Sequence, residues 1–139
     1  MIRAVIDTNV LVSALISPSG NEALIVLAVS QGLLTACVSR EILQEYAEVL
    51  ARPKFSFRQD EIGSLLQLLN SNGENTVPEP LSLTLPDPED RKFLACAKTA
   101  SADFIVTGNK RHFPQNICGE VEVLNASELL DRMTFDASW

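Results

Sequence analysis

Short apolar runs alternate along this chain with longer segments of helical spacing, and polar residues stand where one gives way to the next. Ala4-Val5-Ile6 reads as a buried strand, and residues 10–16 as a short apolar helix stopped by Ser17-Pro18-Ser19-Gly20. Asn21 is placed to cap a second helix to about Gln31, with Gly32 ending it. That helix is apolar nearly all round from Ala23 to Val29, which predicts deep burial. Residues 35–38 predict a second strand, and Ser39 caps a third helix reaching about Ala51. Ile62, Leu65, Leu66 and Leu69 mark a fourth helix over residues 58–70. A strand at Thr76-Val77, a proline-rich connection from Pro78 to Pro88 and a helix from Asp87 to about Ala100 come next. Strands at residues 104–106 and 121–124, a basic loop at residues 110–114 and a helix over residues 127–133 complete the chain. Strands alternating with helices predict an α/β layered fold around a mostly parallel sheet.

The length suits a single domain over residues 1–139, with a tail from about residue 134 in which Phe135 and Trp139 are apolar groups a partner could cover. The formal net charge of −7 argues against holding nucleic acid by a general positive field, while leaving room for an enzyme that meets phosphates through bound cations. Cys37, Cys96 and Cys118 are odd in number, far apart and without C-x-x-C spacing, which fits small buried hydrophobes in a reducing cytoplasm. Asp7 and Asn9 interrupt the N-terminal apolar stretch, so it does not read as a secretion signal, and no apolar run is long enough to predict a membrane span.

The candidate chemistry sits at element ends. Asp7 and Asn9 follow the first strand, and a carboxylate there is costly to desolvate unless something pairs with it. On the third helix the apolar stripe is Ile42, Leu43, Tyr46, Val49 and Leu50; Glu41 and Glu48 point toward solvent and Glu45 lies on the stripe's edge. Asp87-Pro88-Glu89-Asp90 is a strong helix start, with Asp87 as cap and Asp90 at the capping-box position. Asp90 also shares the line of Phe93, Leu94 and Ala97, so capping and a site role both remain open for it. Asn109 follows the strand at residues 104–106 as Asp7 follows the first, either as a turn residue or as a site group. Lys110, Arg111 and His112 come next, as a solvated loop or as contacts to nucleic-acid phosphates. Three acids and an amide from separate segments would converge at the carboxyl edge of a parallel sheet. Such oxygen donors suit Mg²⁺ or Mn²⁺ rather than zinc, and such ions assist attack on phosphoryl groups. One histidine, and the lack of a G-x-S-x-G elbow or a phosphate-binding glycine loop, leave little for other common chemistries.

Asp7-Thr8-Asn9-Val10, Ser39-Arg40-Glu41-Ile42-Leu43-Gln44-Glu45-Tyr46, Pro86-Asp87-Pro88-Glu89-Asp90 and Thr107-Gly108-Asn109-Lys110 occur in the order found in PIN domains. The chain resembles the branch counted as toxin components of toxin–antitoxin systems, the VapC-like ribonucleases, to about Leu130. The resemblance implies a three-layer α/β/α fold and an endoribonuclease that depends on Mg²⁺ or Mn²⁺ and cuts RNA by metal-activated water. It implies Asp7, Glu45 and Asp90 as catalytic metal-binding acids, with Asn109 at the remaining ligand position. Asn9, Ser39, Asp87 and Thr107 would orient them, and an antitoxin partner and a homodimer are expected. Asn109 departs from the pattern, since many PIN domains carry aspartate there; one negative charge fewer predicts one tightly held ion and a weaker second. The alternative is a PIN-like domain that binds RNA or protein without catalysis. A phosphatase using Asp7 as nucleophile is disfavoured because Asn9 stands where a second aspartate is usual.

Overall fold

Five short strands set the architecture of the structure, a computed structural model that describes residues 1–137, with side chains through Met133. They are β1 (Ile2–Ile6), β2 (Leu34–Val38), β3 (Glu74–Asn75), β4 (Phe104–Val106) and β5 (Glu122–Leu124). They form one sheet in the order β3-β2-β1-β4-β5, with every pairing parallel. Ala4, Val5 and Ile6 at its centre have no exposed surface, as a strand covered on both faces requires.

The helices are α1 (Thr8–Ile16), α2 (Asn21–Ser30), α3 (Arg40–Leu50), α4 (Gln59–Asn72), α5 (Arg91–Ala100), α6 (Gln115–Cys118) and α7 (Ala126–Ala137). The crossovers from β1 to β2 to β3 carry α2 and α4, which pack on each other and on β2, and α7 joins them against α2. The return from β3 to β4 carries α5 over the other face, onto β1, β2 and β4. This is the expected α/β/α layering. Helix α3 touches α1, α4 and α5, and so closes the end of the molecule where the strands finish. No single helix among the described residues is long and apolar enough to cross a membrane.

Several boundaries differ from the expectations. Gly20, not Asn21, occupies the cap of α2. Only one side of α2 is covered: Ile25, Ala28 and Val29 are buried while Leu24 and Leu27 stay 46% and 47% exposed. The third strand in the chain lies at residues 74–75 rather than at Thr76-Val77; the Thr76 N–H still donates to Val38 O at 2.8 Å, but Val77 projects into solvent. The segment after Asp87 begins as a 3-10 turn, Pro88–Asp90, before α5 starts. Helix α6 has too few residues to show a period in sequence. Trp139 and the Phe135 side chain lie outside the described residues.

Gly73 ends α4 and lets the chain enter β3. A Cβ there would stand 2.8 Å from Ala36 O and closer still to Leu69 O, two backbone atoms that cannot move independently. Gly73→Ala is expected to destabilise the protein by about 2–3 kcal/mol in urea melts, whereas Gly63→Ala, with open space around it, should be neutral or slightly stabilising.

Candidate active site

The strand order reverses at β1. Its chain continues toward β2 and β3 on one side, and β4 and β5 lie on the other. The crevice beyond the carboxyl ends of β1 and β4 is thus the place where this class of sheet receives ligands. Asp7 follows β1 and Thr107 follows β4. The Asp7 N–H donates to Val106 O at 2.9 Å, holding the residue in the ladder, and only 5% of its surface is exposed. Burial pushes its carboxyl above the usual range. The Thr107 hydroxyl, donating to Oδ2 at 2.8 Å, and the Thr8 backbone N–H pull it back, and the Glu45 charge pushes it up again.

Glu45 arrives on α3. Ser39, almost fully buried, caps that helix by accepting from Ile42 N at 3.3 Å. Ile42, Tyr46 and Leu50 fix its inner face, and the Tyr46 hydroxyl donates to Ile6 O, one residue before Asp7. Glu41 and Glu48 are exposed, while Glu45 has both oxygens engaged: Thr8 Oγ1 donates to Oε2, and Lys92 Nζ lies 2.7 Å from Oε1. Lys92 is also 3.5 Å from Glu89.

Asp90 is buried at the start of α5 and makes no capping hydrogen bond. Capping falls to Asp87, whose Oδ1 accepts from Glu89 N at 3.0 Å. Burial, then the Asp7 charge, drives the Asp90 carboxyl up to about 6; His112 opposes the shift, and Asp87 and Glu45 add to it. His112 Nδ1 stands 3.1 Å from Asp90 Oδ2 but out of line for a hydrogen bond, so this buried oxygen has no hydrogen-bond partner.

The Asn109 side chain makes no hydrogen bond to these acids. Its Oδ1 accepts from Arg111 N at 3.2 Å and caps the 3-10 turn Lys110–His112, because an amide next to its own backbone closes a turn at little entropic cost. Its backbone N–H donates to Thr107 Oγ1. Asn9 Oδ1 accepts from Gly108 N at 3.0 Å, tying the start of α1 to the end of β4. Lys110 pairs with Glu128 at 2.7 Å, and Arg111 is exposed. Thr8, Lys92 and the His112–Asp90 contact were not foreseen as parts of the cluster. Lys92, two residues after Asp90 and three after Glu89, has the spacing to meet Glu89 on one helix face but carries no sign in sequence of its approach to Glu45. A groove of about 980 Å³ opens at the starts of the strands, past Lys98, Asp103, Glu120 and Glu122, away from these residues.

A family model of the PIN domain matches residues 3–111. The chain belongs to the PIN-domain family. No match is found among curated protein sequences. Among solved structures the PIN fold seen here is similar to a chain in the crystal structure of VapBC2 from Rickettsia felis bound to a DNA fragment from their promoter. The TM-score is 0.62 at 15% identity, over 89% of this chain and 98% of that one.

The donor chemistry of this PIN site fits a divalent cation: carboxylates that raise one another's affinity for protons, and one buried oxygen of Asp90 left without a hydrogen bond. As the side chains stand, no three acidic, histidine or cysteine groups among the described residues close around one point, and Lys92 and Thr8 hold Glu45. Mutual repulsion accounts for carboxylates that stay apart when only an ammonium joins them.

Asp7 and Asp90 both bind protons more tightly folded than unfolded. Rising pH therefore removes protons from the unfolded chain first, and their contribution to stability falls between about pH 4 and pH 7. Without added metal, Asp90→Asn is expected to melt about 3–5 °C above the parent at pH 7.5, with the difference vanishing near pH 4. Calorimetric scans of the two proteins across that range check it.

Proposed function

We propose that this chain is a Mg²⁺- or Mn²⁺-dependent endoribonuclease, the toxin of a toxin–antitoxin pair, hydrolysing RNA phosphodiesters. The observation that carries the reading is the approach of Asp7, Glu45 and Asp90, from three distant segments, at the crevice of a PIN fold, where the Glu45 charge raises the Asp7 carboxyl and the Asp7 and Glu45 charges raise that of Asp90. Asp7 and Asp90 would hold the ion, with Glu45 joining on release from Lys92. When bound, the ion supplies a Lewis acid for the phosphate and a lowered pKa for water. The chain's own residues do the positioning. Thr107 and the Thr8 N–H orient Asp7, Thr8 orients Glu45, Ser39 fixes the helix that carries Glu45, and Asn9 locks β4 to α1. Arg111 and, after displacement from Glu128, Lys110 would meet RNA phosphates beside the cluster.

An antitoxin partner and a homodimer belong to this proposal, as does a cytoplasmic location. Leu24, Leu27 and Leu33, all more than 40% exposed, supply apolar surface that a protein partner could cover, and the similar VapBC2 fold is seen in a two-component complex. The second reading, a PIN domain that binds RNA or protein without catalysis, is favoured by one observation: Thr8 and Lys92 occupy both oxygens of Glu45.

Asp7→Asn keeps the side chain's size and removes its charge. Cleavage of RNA that requires Mg²⁺ or Mn²⁺ is expected to fall by at least about a hundredfold in this variant, ~2.7 kcal/mol of barrier, with the circular-dichroism spectrum unchanged. Equal cleavage by both proteins would remove Asp7 from the site. Undetectable cleavage by the parent, with metal bound, would favour the non-catalytic reading.

A further inference from the structure

The turn at residues 110–112 places the single histidine of the chain against the acid cluster, and nothing above assigns it a role toward a metal. Three observations bear on it. First, Asp90 is more than nine-tenths buried, yet its Oδ2 makes no hydrogen bond. Second, His112 Nδ1 lies 3.1 Å from that oxygen in a direction unsuited to a hydrogen bond. That length is not arbitrary. Two donors on adjacent corners of an octahedral ion, each about 2.1 Å from it, stand about 3.0 Å apart. A nitrogen and an oxygen at this separation, close enough to pair if the ring is protonated but making no hydrogen bond, also have the spacing of two neighbouring ligands. Third, the residue that would usually complete such a cluster with oxygen, Asn109, spends its carbonyl on Arg111 N and thereby builds the turn that presents His112.

We propose that His112 Nδ1 is a ligand of the site beside Asp90, replacing the missing acidic oxygen with nitrogen and making the site select first-row transition ions such as Mn²⁺ over Mg²⁺. This rests on the metal-dependent reading above. The selection has a plain cause: Mg²⁺ is a hard ion that prefers oxygen and keeps its waters, whereas imidazole is a good ligand for the transition series. The exchange of carboxylate for imidazole also removes a negative charge, which weakens purely electrostatic attraction for any divalent ion. The nitrogen–metal bond offsets that loss for Mn²⁺ but little of it for Mg²⁺. His112 is partly exposed, so its substitution leaves the core untouched.

The test uses the full chain without a histidine tag, loaded with Mn²⁺ alone. Because His112 is the only histidine, imidazole nitrogen modulation in the pulsed electron paramagnetic resonance of bound Mn²⁺ comes from His112 and no other residue. Titrations with Mn²⁺ and with Mg²⁺ are run in parallel on the parent, His112→Ala and Asp7→Asn. The expected result is nitrogen modulation in the parent that His112→Ala abolishes, with Mn²⁺ affinity falling about tenfold and Mg²⁺ affinity changing less than about threefold. Saturable Mn²⁺ binding that Asp7→Asn weakens, but with no nitrogen modulation and an unchanged preference in His112→Ala, would overturn the inference and leave the metal reading standing. His112 would then be only an ion-pair partner of Asp90. Absence of saturable binding sensitive to Asp7→Asn would overturn both.

Discussion

A buried carboxylate at the end of the central strand governs this molecule. Asp7 cannot leave the interior, because its N–H is part of the β1–β4 ladder, and there its carboxyl is met only by neutral donors, the Thr107 hydroxyl and the Thr8 backbone N–H. Desolvation already raises its proton affinity, and two more acids are then brought near it. Each added carboxylate makes the next harder to ionise, so the arrangement gains nothing for folding by itself. Its coherence lies in the groups set against it: the Lys92 ammonium on Glu45 and the His112 ring beside Asp90.

The scaffold tolerates this local cost because the elements that carry the acids are fixed from the other side. Tyr46 links α3 to β1 through Ile6 O, Phe93 sets α5 between Tyr46 and Phe113, and Ser39 anchors the first turn of α3. The acids thus sit on rigid supports although they repel one another. A catalytic cluster assembled on mobile loops would relax apart instead.

Much of this was legible in the sequence, for identifiable reasons. β1 and β4 read as strands because Ala4-Val5-Ile6 and Phe104-Ile105-Val106 are apolar runs each followed by a polar residue; α3 read correctly because Ser39 is a strong cap and its stripe repeats over three turns. Glu45 could be separated from Glu41 and Glu48 by angle alone. What sequence could not show were pairings set by long-range approach. The partners of Glu45, Thr8 and Lys92, are 37 and 47 residues away. The position of β3 depends on the close passage of Gly73 past Ala36 and on the Arg3 guanidinium gripping Glu74 across the sheet. Helix α6 exists because the Gln115 side chain bridges Gly119 O, Val121 O and Val123 N, a local knot with no periodic signature. Asn109 looked like a ligand by its position after β4 and turned out to be committed to its own turn.

The all-parallel sheet has a consequence for how the protein comes into being. Asp7 is made before Thr107, which holds it and lies 100 residues later. Between them come the segments bearing Glu45 and Asp90, and the strand that closes the other side of β1 is β4 itself. A chain that has not yet reached Thr107 lacks the complete cluster, so that arrangement is withheld until every residue from Asp7 to Thr107 has been made.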